Sequence, residues 1–289
     1  MVEIPEHLRG HLTDSAGQPW AGRNFSDNPW QDDRGEAPES LLAAMRAFRA
    51  GEASPAKVVD ALRDVRLLVP LVAELGEAGV NDRGQKVDKS ADLSIVTVES
   101  PDGRGIVPVF SSVAAMKLWN PEARPVPVES RRAALAAVDA GSDLLILDAG
   151  SEATEFVVRR PAVWAIAQGH DYAEPWLDAR VHEQVAKLLD LDTGISGINV
   201  LPGDPAARFA GPELQVVVEL AASAAPERAR ILELVGRALS DNTELVALID
   251  SLAIAATQTS SRDLGSDENT TQEADKQSRR FGLWRRKRR

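Results

Sequence analysis

Between Ser130 and Asp148 the chain reads SRRAALAAVDAGSDLLILD: a helix-period segment, a glycine, then a nearly all-apolar run that closes on an acid. This succession constrains the fold most. A run as short as DLLILD suits a strand buried on both faces. Ahead of it, Pro125 and Pro127 bracket Val126 in an extended conformation, which predicts a short edge strand. Strand, helix and buried strand within about twenty-five residues predict a β-α-β unit. TEFVVRR adds a strand, and PAVWAIAQG a helix with Pro161 at its start and Gly169 at its end.

Upstream, Leu41, Leu42, Met45 and Phe48 stand at helical spacing with Gly51 as a stop, and Ser54-Pro55 opens a second helix. RLLVPLVAEL reads as a strand in which Pro70 points to an edge or bulge, and a glycine-rich charged loop covers 79–91. DLSIVTVES and GIVPVF flank PDGRG as a hairpin. Ser111 or Ser112 caps a short helix that Trp119 ends. GHDYAEP reads as a hinge. Beyond it come a helix in WLDARVHEQVAKLLD, strands in GISGINVLPG and PELQVVVELAA, a helix in PERARILELVGRALS, a short helix from Thr243 to Ile249 and a last strand in LAIAAT.

This order predicts an α+β protein of two domains, each a mixed β-sheet with packed helices. The expected parts are an irregular, disordered arm over 1–36, domains at 37–169 and 176–257, and a disordered tail over 258–289. Trp20, Phe25 and Trp30 are expected to dock the arm onto the body.

With 289 residues, 44% of them hydrophobic, the chain can build two cores. It has no cysteine, which excludes disulfides, thiolate metal sites, thiol catalysis and a rhodanese-type sulfurtransferase. The opening MVEIPEHLRGHLTDS lacks a signal pattern, and no apolar run approaches the roughly 18 residues of a membrane span, so a cytoplasmic protein is expected. The net charge of −11 is uneven. Eight of 33 basic residues fall within 276–289, which leaves 25 against 44 acidic residues, or −19, on the rest. The tail closes on Trp284, Arg285, Arg286, Lys287, Arg288 and Arg289 behind Phe281 and Leu283. Such a cluster attracts anionic membrane or nucleic acid, whereas the acidic body repels both, and peripheral placement at the inner membrane surface follows if lipid is the partner. A solvated end that binds nothing is the plain alternative.

Short motifs give little chemistry. Asp192-Thr193-Gly194 has the aspartic-protease triplet, but occurs once, between a helix and a strand, where it is ordinary turn vocabulary. His7 and His11 have metal-compatible spacing without a third ligand. No phosphate-binding glycine loop, nucleophile elbow or zinc-protease motif is present, and no cofactor or metal is expected. Asp148 ends a strand predicted to lie in a parallel pair, where ligand sites gather. Trp119 and Arg124 are expected to share a rim with it and to hold a protein or peptide partner. The alternative is an enzyme acting on a small polar metabolite, with Asp148 as acid or base beside Arg124. Arg159 and Arg160 are expected to pair with the acidic surface.

The block from Val109 to Gly169, with its tryptophan-bearing helix, ARPVPV, the following helix and the strand closing on Asp148, resembles the SseB family, the enhanced-serine-sensitivity proteins. The likeness spans about residues 38–169. GINVLPGD and PELQVVVEL, within 176–257, resemble the C-terminal domain that often follows. The resemblance implies a soluble bacterial α+β protein of two domains and a non-catalytic binding or regulatory role. It brings no catalytic residues with it, and the basic tail stands outside the family pattern.

Overall fold

The computed structural model describes residue 30 and residues 32–71, 79–80, 86–87 and 96–258. These residues form helices and mixed sheets, an α+β fold in two compact units. Described residues up to Glu174, together with Asp204–Gly211, make the first; Pro175–Gly203 and the residues from Pro212 make the second. The segment 204–211, read from the sequence as part of the later domain, therefore belongs to the first unit.

The first unit begins with α1 (Glu39–Arg49) and α2 (Pro55–Arg63), followed by β1 (Arg66–Leu71) and a small ribbon of β2 (Gly79–Val80) and β3 (Lys86–Val87). Next come β4 (Val98–Glu99), β5 (Gly105–Val109), α3 (Val113–Trp119), β6 (Arg124–Glu129), α4 (Ser130–Asp139), β7 (Leu145–Leu147), β8 (Phe156–Val158) and α5 (Arg160–Gln168). A four-stranded sheet runs β4-β5-β7-β8, with β5 and β7 parallel and the other pairs antiparallel. Strand alternation sends Val107, Val109, Leu145, Leu147, Phe156 and Val158 into one core beneath α1, α2, α4 and α5. Ile106, Leu144 and Val157 pack on the opposite face.

The parallel crossover differs from the one expected. The strand that pairs parallel with β7 is β5, and β6 pairs antiparallel with β1 instead. Prolines explain the separation. Leu68 and Phe110 exchange both backbone hydrogen bonds, at 2.8 and 2.9 Å. The next such pair along an antiparallel ladder is Pro70 opposite Pro108, and neither has an N–H to give. The β1–β6 ribbon thus meets the larger sheet at a single bridge. Because the backbone groups of Leu68 face Phe110, those of its β6 partner Pro127 face away from β1, as do those of Pro125. The outer edge of β6 is therefore guarded by two residues without donors.

The edge of β8 is closed differently. Its Val157 N–H donates to the carbonyl of Ala207 at 2.8 Å. The strap 204–211 is held by Asp204, whose carboxylate accepts from the amides of Phe209 (2.7 Å) and Arg208 (3.3 Å) and from the Arg159 guanidinium (2.8 Å). Arg159 lies 4.7 Å from the Phe209 ring centroid and also donates to the Gly211 carbonyl. Arg159, expected on the surface, is buried in this arrangement.

The second unit contains α6 (Ala179–Ala186), β9 (Ile195–Pro202), β10 (Leu214–Leu220), α7 (Arg228–Ser240), α8 (Thr243–Leu248) and β11 (Leu252–Gln258). Its sheet runs β11-β10-β9, with β10 antiparallel to β9 and parallel to β11. Leu214, Val216, Val218 and Leu220 face the helices and are fully buried, whereas Gln215, Val217 and Glu219 on the other face are half-buried. Asp192 makes a turn: its carboxylate accepts from the Gly194 amide at 2.8 Å and from Arg230 at 2.6 Å. That bond to Arg230, then the one from Gly194, hold its pKa below the ordinary Asp value. The Asp-Thr-Gly triplet serves the chain reversal.

Candidate functional site

The C-terminal ends of the parallel strands β5 and β7 lie side by side, the position at which open sheets present groups to ligands. The chain leaves β5 through Phe110 and Ser111 and leaves β7 through Asp148. Asp148 has φ 48°, a left-handed conformation that Asp tolerates better than most residues. Its N–H donates to the Val109 carbonyl at 2.9 Å, and this turn aims the carboxylate back toward β5. One oxygen accepts from the Ser111 amide and the other from the Ser111 hydroxyl, both at 2.7 Å. The Thr154 hydroxyl supplies a further bond. Burial raises the carboxyl pKa above the ordinary Asp range, against the downward pull of the Ser111 and Thr154 bonds.

Ser111 is the hub of this network. Its carbonyl accepts from Arg66 at 2.7 Å, and Arg66 pairs with Asp33 at 2.5 Å. The neighbouring Ser112 is the cap of α3, its hydroxyl accepting from the Ala115 amide at 3.1 Å. Arg66 also donates to the Glu36 carbonyl, so Asp33 and Glu36, assigned from the sequence to the irregular arm, are bonded to the unit.

The three residues expected to share a rim do not meet in one cleft. Asp148 is 0% exposed and enclosed by its partners. The Trp119 ring lies 5.4 Å from that of Phe110, in a cluster with Leu68, Met116, Ala123 and Ala149. Arg124 is exposed at the start of β6, where alternation gives it the same face as Val126 and Val128; Val128 packs on the main core, on the far side of the ribbon from Leu68. The buried acid at the strand ends is thus a lock between the loops after β5 and β7. Sequence reasoning missed Arg66, Asp33 and the role of Ser111. Of these, only the serine beside a strand end carried a local signal.

What remains open on this unit is the outer surface of α4 and α5. Arg131, in the first turn of α4, reaches the carbonyl of Gln168 in the last turn of α5, at 3.4 Å. The two packed helices therefore run antiparallel, and Leu135 in α4 and Trp164 in α5 each lie one turn along from that contact. These side chains are 47% and 39% exposed.

Residues 40–165 match the family model described as the SseB protein N-terminal domain. This part of the chain is an SseB N-terminal domain. The match ends within α5 and does not extend to the second unit. No curated protein and no solved structure matches the chain. Among the described residues, no helix is long and apolar enough to cross a membrane, and no three His, Cys, Asp or Glu side chains form a group fit to hold a metal ion. The basic cluster from Trp284 to Arg289 and the pair His7 and His11 lie outside the described residues.

Proposed function

We propose that the SseB domain is a non-catalytic module that binds another protein through the α4–α5 surface. The observation that supports this most is the exposure of Leu135 and Trp164 on adjacent helices, since buried aromatic anchors dominate binding at protein interfaces. The matching partner is a helical segment with apolar side chains for these two and acids for Arg131 and Arg132. The self-contained bonding of Asp148 supports a framework role for that acid, because both its oxygens already have partners.

The test pairs two sets of variants. Leu135→Ala with Trp164→Ala should leave the melting curve within about 0.5 kcal/mol of wild type, as surface changes do, and abolish capture of the wild-type partner from native extract. An unchanged set of captured proteins rejects the surface. The enzyme alternative places Asp148 as acid or base; turnover lost in Asp148→Asn with the fold intact would favour it. In the same reading the basic end, 281–289, recruits the protein to anionic surfaces.

A further inference from the structure

The outer edge of β11 is a long, uncharged edge of the three-stranded sheet. Ser251, just before the strand, turns its carbonyl to β10 and accepts from the Leu214 amide at 3.0 Å. Alternation then turns the backbone groups of 253, 255 and 257 toward β10 and those of Leu252, Ile254 and Ala256 outward. The Ala256 carbonyl indeed accepts from the Arg228 side chain at 3.1 Å, outside the ladder. The strand reads LAIAATQ, with no charge and no proline. Its register with β10 is continuous from Leu214↔Leu252 to Leu220↔Gln258, so no bulge twists it away. Long uncharged edges of this kind invite a further strand, and proteins ordinarily block them. This chain blocks two others, β6 with prolines and β8 with the strap.

We propose that β11 pairs antiparallel with β11 of a second copy, joining two three-stranded sheets into one of six strands. Antiparallel self-pairing about Ile254 sets Leu252 opposite Ala256 of the other copy and matches outward donors to outward acceptors on both sides. Charge favours the second copy as occupant. On pairing, Arg228 releases the Ala256 carbonyl, and the axis brings Asp250 of the other copy toward the freed guanidinium; the same exchange recurs at the opposite end. Ala253 and Ala255, on the face away from the helices, offer no bulk against the joint.

Sedimentation velocity on the full chain reads the result. The expected species has twice the 31.1 kDa chain mass at about 0.1 mM, a concentration that saturates a contact of micromolar Kd. Ala256→Pro removes an outward donor while sparing the β10-facing groups, and should raise the dimer Kd by about tenfold or more. Should that variant fail to fold, Ala255→Lys reads the same joint, since it sets like charges across the axis on the helix-free face. A full chain that stays monomeric, or a dimer that both folded variants leave intact, overturns the proposal.

Discussion

Asp204→Ala tests whether the strap on β8 is held by its ion pair. The side chains of Arg159 and Asp204 are 7% and 2% exposed, so water does not substitute for the lost carboxylate. The substitution takes the carboxylate from a buried guanidinium that also donates to the Gly211 carbonyl and lies over the Phe209 ring, and leaves the amides of Arg208 and Phe209 without their acceptor. Breaking a buried pair from one side costs about 3–5 kcal/mol. Ala207 and Phe209 sit at φ 49° and 60°, and letting the strap go relieves roughly 1 kcal/mol of strain at each, so a pair at the upper figure leaves a net loss of about 3 kcal/mol. For a unit of this size that lowers Tm by roughly 6–12 °C. Urea unfolding at neutral pH, followed by tryptophan fluorescence, gives the number. The sign of a second measurement is sharper. Arg159→Met in the Asp204→Ala background removes the stranded charge, so the double variant should be more stable than Asp204→Ala by about 1–3 kcal/mol. A single variant within about 1 kcal/mol of wild type, or a double variant weaker than the single one, refutes the argument.

The raised Asp148 pKa gives a pH dependence whose sign is fixed. The folded unit binds that proton more tightly than the unfolded chain, so its contribution is full below the unfolded value of about 3.9 and is lost as pH rises through the raised folded value. Urea midpoints of wild type should therefore fall relative to Asp148→Asn as pH rises through that window, and parallel profiles would show that burial does not govern the acid. Deleting 281–289 should abolish co-sedimentation with anionic vesicles at low salt, each basic group contributing about 1 kcal/mol. If the intact chain does not sediment with vesicles, lipid recruitment fails, and a parallel assay with single-stranded nucleic acid reads the rival surface.

Local signals in the sequence carried the elements well. Apolar spacing marked α1 through Leu41, Met45 and Phe48, and the alternation in β10 marked Leu214, Val216, Val218 and Leu220 as one buried face. Gly169, at φ 71°, ends α5 as its position after the apolar run implied. Pairing was another matter. β7 is bounded by the nearer β6 in sequence, yet it pairs with β5 across two helices and a strand, and nothing in either segment's own composition selects between them. Pro70 and Pro108 govern a different pairing: they keep β1 from running along the other edge of β5 beyond Phe110, and that effect appears only when both prolines are set opposite each other. The site was misread for a related reason. A terminal Asp after a buried strand points outward on average, and only the φ of 48° together with the Ser111 amide 37 residues away turns this one inward. Arg159 looked like surface because the acid that neutralises it stands 45 residues later.

One accounting principle connects these cases: each strand edge must dispose of its amides. At β6 the donors are absent, since proline has none. At β8 the one outward amide, Val157, is consumed by Ala207, and the left-handed residues of the strap are tolerated because the Arg159–Asp204 pair fixes them. Where β1 would run on along β5 beyond the Leu68–Phe110 bridge, Pro70 and Pro108 have no amides to offer. In the second unit the only polar group at the outer edge of β11 with a described partner is the Ala256 carbonyl, through a side chain that can swing away. A chain that closes the edges of β6 and β8 by composition and by a covering segment leaves that of β11 in a form that a second copy of itself can complete.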